Sequence, residues 1–111
     1  MLNDILTASG LLYAEARYPD PPEDETYAVY FDNVTKTGPD PIPGIGLPCI
    51  LTHDCMVELY EPIQDPNAEA DLEAQLDARG LEYTKQARYW LQNVQRYQTI
   101  YEFTYTEKRR T

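Results

Sequence analysis

The chain opens on Leu2, Ile5 and Leu6, spaced i, i+3, i+4 with Ser9 following on, which predicts a short helix over residues 2–9. Gly10 is placed to end it in the left-handed C′ conformation. From there the period falls to two. Residues 11–17, LLYAEAR, alternate weakly, and because Gly10 interrupts the helical pattern they read as a strand. Residues 19–25, PDPPEDE, hold three prolines and four acids and read as a solvated loop. TYAVYF, 26–31, is a strand by its aromatic and β-branched content. Residues 34–48, VTKTGPDPIPGIGLP, with four prolines and three glycines, predict a long irregular connection. Its Ile42, Ile45 and Leu47 would either pack back on their own domain or dock on a neighbouring subunit.

CILTHDCMVELYE, 49–61, alternates as a strand, with Cys55, Val57 and Leu59 pointing one way and Asp54, Met56, Glu58 and Tyr60 the other. The clearest element is the helix over 65–80: Asp65 caps it, Pro66 opens it, Ala68, Leu72, Leu76 and Arg79 set a stripe, and Gly80 ends it. Acids Glu69, Asp71 and Glu73 sit where the helix dipole favours them. Residues 82–92 fit helix or strand. Since 97–105 is a strand in strict alternation, an antiparallel hairpin is the economical reading. Residues 108–111, KRRT, read as a frayed basic tail. The order predicts a single α+β domain over 1–111, with a mainly antiparallel sheet of about four to five strands and two helices packed on one face.

Composition sharpens this picture at three points. Aromatics make up 12% of the 111 residues, which argues for a folded core. No apolar run approaches the ~20 residues of a membrane span, and the N-terminus lacks a signal peptide's basic region, so a membrane partner is not expected and cytosolic synthesis is. Charge is lopsided: residues 1–78 hold sixteen acids and two bases (−14), and residues 79–111 hold seven bases and three acids (+4). An acidic body disfavours gripping a nucleic-acid backbone, but opposite patches suit self-association.

Candidate chemistry is sparse. Cys49, His53 and Cys55 share one strand parity, so a zinc site or a Cys–His nucleophile is conceivable. No fourth ligand, oxyanion loop or orienting group accompanies them, so packing is the simpler role and both thiols are read as reduced. The acids lack a calcium-loop spacing, and Gly44-Ile45-Gly46 lacks the lysine and helix of a phosphate loop. The residues predict no enzyme activity, no cofactor and no bound metal.

Three stretches then gain weight from their order: TYAVYFDN (26–33), CMVELYEPIQDPNAEADLEAQLDARGLEY (55–83) and YQTIYEFTYTEK (97–108). Together with the opening helix and its Gly, they resemble the tail-terminator or tail-completion proteins of long-tailed phages and prophages. The chain departs from that family in the Pro- and Gly-rich 36–48. The resemblance implies a virion protein of the tail, an oligomeric ring, typically a hexamer, that caps the major tail tube protein. It would offer a surface to the head–tail connector, while DNA only passes through the lumen. An acidic lumen would repel that DNA. The subunit contacts expected on this reading pair Asp20, Glu23, Asp24 and Glu25 with Arg88, Arg96, Arg109 and Arg110, with Ile42 and Ile45 docking alongside. The alternative for so acidic a chain is a DNA mimic that inhibits a nucleic-acid-binding protein.

Overall fold

The computed structural model describes residues 1–38 and 49–109. The elements run α1 (Leu2–Ala8), β1 (Leu12–Glu15), β2 (Tyr27–Thr37), β3 (Cys49–Glu61), α2 (Pro66–Ala78), β4 (Tyr83–Lys85), β5 (Tyr89–Leu91) and β6 (Arg96–Arg109). The fold is α+β. Its sheet is ordered β1-β2-β3-β6-β4, with β5 also on β6; every pairing is antiparallel except β1 on β2.

Both helices end in the same way, as their sequences predict. Gly10 and Gly80 take positive φ (75° and 67°). The next amide reaches back to the third-last helical carbonyl, Leu11 N to Leu6 O at 3.3 Å and Leu81 N to Leu76 O at 3.0 Å. These are Schellman closures, and Leu11 and Leu81 pack against the core as the motif's apolar partner should. At the other end of α2, the Asp65 carboxylate accepts from Ala68 N at 3.1 Å and from the Thr26 hydroxyl at 2.8 Å.

Leu2, Ile5 and Leu6 of α1 and Leu72 and Leu76 of α2 lie on one sheet face, over Ala28, Cys55, Val57, Leu59, Tyr101 and Phe103. The strand alternation of β3 is obeyed without exception: Cys49, Leu51, His53, Cys55, Val57, Leu59 and Glu61 are all buried, and the residues between them are not. Fully burying a Leu contributes about 2 kcal/mol, so this face of the sheet carries most of the hydrophobic stabilisation.

Three expectations need correction. The irregular connection predicted over 34–48 starts too early: Val34–Thr37 continue β2, in register with Ile50–His53. The long partner strand and the β-branched Val34, Thr35 and Thr37 outweigh the turn-forming residues that follow. Residues 39–48 of that connection, with Ile42 and Ile45, lie outside the described residues, as does Arg110. At the C-terminal end, β6 runs on to Arg109, so Lys108 and Arg109 are paired, not frayed.

The hairpin strand predicted over 82–92 is two strands, raising the total to six. Residues 86–88 stand opposite only Ile100 and Thr99, one residue in excess. This is a β-bulge, and it reverses which residues face the helices. Tyr83 and Lys85 share the face of Phe103 and Tyr101; after the bulge Arg88 takes that face, although three positions from Lys85 they would otherwise point apart.

Beyond the helices the sheet narrows. β1 pairs β2 only at Tyr27–Tyr30, and β4 reaches no farther along β6 than Phe103. The β2–β3–β6 ladder continues past both limits to Thr37, Cys49 and Arg109. A three-stranded arm thus projects from a helix-covered body, and the molecule is 53 Å long but only 28 by 21 Å across.

Candidate assembly surfaces

Three polar clusters and one pair of strand edges stand out. The first cluster lies between α2, β3 and the bulge. Glu61 and Glu69 are almost wholly buried, at 0% and 3% exposure. Glu61 sits at an inward position of β3, where it accepts from Asp65 N at 2.6 Å and from the Thr99 hydroxyl at 3.3 Å. Burial pushes its carboxyl up to about 7, reinforced by the neighbouring Glu69. Burial also pushes Glu69 upward, but hydrogen bonds from Lys85 (2.9 Å) and Arg88 outweigh it and hold that carboxyl below the usual range. Glu73 behaves likewise, receiving Lys85 at 2.9 Å and the Tyr101 hydroxyl at 2.9 Å. Burial, then the charge and hydrogen bond of Glu73, keep the Tyr101 phenol strongly protonated. The bulge exists where two cations must meet these carboxylates. Chemically the cluster clamps α2 to the sheet.

The second cluster surrounds His53. Its Nδ1 lies 2.9 and 3.0 Å from the Asp32 oxygens, its Nε2 lies 3.1 Å from Glu107 Oε2, and its ring stacks on Tyr105 at 4.3 Å. Cys55 faces the same carboxylate, with Sγ 3.7 Å from Asp32 Oδ1. Burial first, and that carboxylate second, push the thiol up to about 12, which keeps it a thiol and a poor nucleophile. Cys49 is buried farther along the strand, and the two cysteines are unbonded. Among the described residues no three His, Cys, Asp or Glu side chains converge as metal ligands would.

The third cluster contains the acidic loop. Asp20, Glu23, Asp24 and Glu25 are solvent-facing in the 16–26 connection at the body end of the sheet. Arg96 holds this loop through its backbone, donating to the Pro22 and Glu23 carbonyls at 2.6 Å each. Tyr18 and Tyr27 (5.0 Å) and the stacked Tyr27 and Tyr60 (5.1 Å) seat it further.

The residues singled out in the sequence therefore separate. Arg96 meets the acidic loop within one chain, through carbonyls and not carboxylates. Arg88 is engaged internally with Glu69. Arg109 ends β6 at the arm tip, so thirteen strand steps, roughly 43 Å, separate it from Arg96. The molecule has an acidic loop at one pole and Lys108 and Arg109 at the other. The Glu61–Glu69–Arg88 clamp was not read from the sequence, although one signal was present: Glu61 continues the apolar parity of Cys55, Val57 and Leu59, and a carboxylate at an inward position requires a partner. Glu69 and Glu73, which a DNA mimic would display, are turned to Lys85 and Arg88.

Strand edges are the remaining surface. Ala16 N donates to Tyr30 O at 2.9 Å, so Tyr30 turns its backbone groups outward from β3; by the strand period Asp32 and Val34 do the same. Gln86 N donates to Ile100 O at 2.9 Å, which likewise turns Glu102, Thr104, Thr106 and Lys108 outward on β6. No described strand pairs with β2 past Tyr30 or with β6 past Phe103 on these sides.

No helix among the described residues is long and apolar enough to cross a membrane. No protein-family model matches the chain, and no curated protein matches it. Among solved structures, one similar chain belongs to an assembly described as the virion of a native gene transfer agent particle. It aligns with a TM-score of 0.55 at 16% identity, over 90% of this chain and 81% of that one. At that identity the likeness is one of fold.

Proposed function

We propose that this chain is a structural, non-enzymatic virion protein that caps a phage tail tube as a ring and joins it to the head connector. The observation that carries this reading is the fold shared over most of both chains with a component of a gene transfer agent virion. The ordered resemblance of 26–33, 55–83 and 97–108 to tail-terminator proteins gives the finer assignment. The polar clusters favour it too: each is engaged in holding the fold, and the Cys55 thiol is kept protonated beside Asp32. In such a ring, self-contacts use different surfaces of each copy, and DNA passes a wall whose net charge repels it.

The test is to add the purified chain to a polymerising tail tube protein encoded beside it. Tubes of limited length, with the added chain labelled at one end by electron microscopy, are the expected result. Tubes that grow unchanged and carry no label would remove the tail-capping assignment.

A further inference from the structure

We infer that copies of this chain join through their arms, the open edge of β6 in one copy pairing with the open edge of β2 in the next. This deepens the ring reading above and rests on it. The two edges are of similar length, β2 from Phe31 to Thr37 and β6 from Thr104 to Arg109. Both belong to one uninterrupted ladder, from Tyr27–Tyr60 to Thr37–Ile50 and from Glu61–Tyr97 to Cys49–Arg109, with no bulge to twist the edge away. Among the described residues neither edge segment contains proline. Open, regular edges are templates for another strand, and soluble proteins ordinarily blunt them.

The partner that suits both edges at once is a second copy. Any other strand would cover one edge and leave its opposite open. A copy supplies one edge of each kind, so head-to-tail repetition covers both arm edges of every copy once the ring closes. Direction agrees as well. β2 and β6 both run antiparallel to β3 and hence parallel to each other. In a cyclic ring all copies share one polarity, so β6 meets the next β2 as a parallel pair. A two-fold dimer would instead pair β2 with β2 or β6 with β6, antiparallel.

Thr35, Thr52 and Thr106 form one row across the arm, on the face without helices, and Thr35 and Thr106 are exposed. Within one chain they are separated by two strand spacings, roughly 9–10 Å, beyond the reach of a disulfide. The native Cys49 and Cys55 are buried. The experiment oxidises Thr35→Cys, Thr106→Cys and the double variant at high protein concentration, then compares non-reducing gels with electron micrographs of the same samples. Expected is a covalent ladder from the double variant and monomer from each single one.

A dimer from either single variant overturns the inference in favour of a two-fold contact. Rings without a ladder overturn the edge pairing and leave the ring reading intact. A ladder in open chains keeps the edge pairing and sinks the ring; neither ladder nor ring sinks both. As a second variant, Val34→Pro removes an outward amide that β3 does not use. It should keep the monomer's circular dichroism and lose assembly, and rings formed by V34P would overturn the pairing.

Discussion

The body and the arm are built from the same three strands, yet different forces hold them. In the body each strand has a helix over one face, and Leu59, Leu72, Leu76 and Tyr101 are wholly buried. In the arm Cys49, Leu51 and His53 of the central strand stay buried, but Val34 and Ile50 are half exposed, and among the described residues no strand pairs with the outer edges of the flanking strands. The body is stabilised by apolar burial and the Glu69 clamp. The arm is stabilised by its backbone ladder and by the stacked His53 and Tyr105. That contrast is what the proposed edge pairing draws on.

Substitutions measure that contrast. The largest expected loss is in the body: Leu72→Ala should cost about 4 kcal/mol in urea unfolding, because α2 cannot collapse fully onto the sheet. Next, Arg88→Met should cost about 3 kcal/mol, the low end for a broken buried pair because Lys85 still reaches Glu69. A cost below 1 kcal/mol would mean that the clamp does not hold α2.

The clamp also gives the body a pH signature. Glu61 is raised from its ordinary 4.5 to about 7, so its contribution is fully present below about 4.5 and is lost as pH rises through about 7. Glu69 and Glu73 are lowered, so theirs is present above the ordinary carboxylate range and is lost as pH falls through their depressed values. Glu61→Gln should therefore melt higher than the parent at pH 8 and near it at pH 4.5; a parent curve flat between those values would contradict the burial of a protonated Glu61. Smallest of all, Val34→Thr in the arm should change monomer stability by no more than about 0.5 kcal/mol, since the position is exposed. A larger loss would show the arm to be part of the core.

The legibility of the molecule followed the same division. Strand β3 matched its predicted bounds residue for residue, and α2 was recognisable from Asp65, Pro66 and Gly80, because local period and end chemistry coincide there with tertiary packing. Strand β2 past Phe31 was missed because its pairing partner, not its own residues, decides its length. The break at 86–88 was missed because a bulge adds one residue without any obligatory Gly or Pro to mark it. Of the site, the single inward acid at Glu61 was visible in principle. Its partners at 69, 85 and 88 come from different elements, and only the fold brings them together. Charge along a sequence carries no distance: Arg96 and Arg109 begin and end the same strand, so their separation follows from the fold and not from their shared sign.

The β3–β6 ladder has a kinetic corollary. Its Glu61–Tyr97 pair closes a loop of 36 residues, and its Cys49–Arg109 pair one of 60. Closure entropy grows with loop length, and the shorter closure lies where apolar residues reward it at once. Folding should zip from the Glu61–Tyr97 end toward the tip. Native-state amide exchange should follow the reverse order, with Tyr105 and Glu107, whose amides face β3, opening well before Thr99 and Tyr101, so the segment proposed to meet a neighbour is the one that stays adjustable longest.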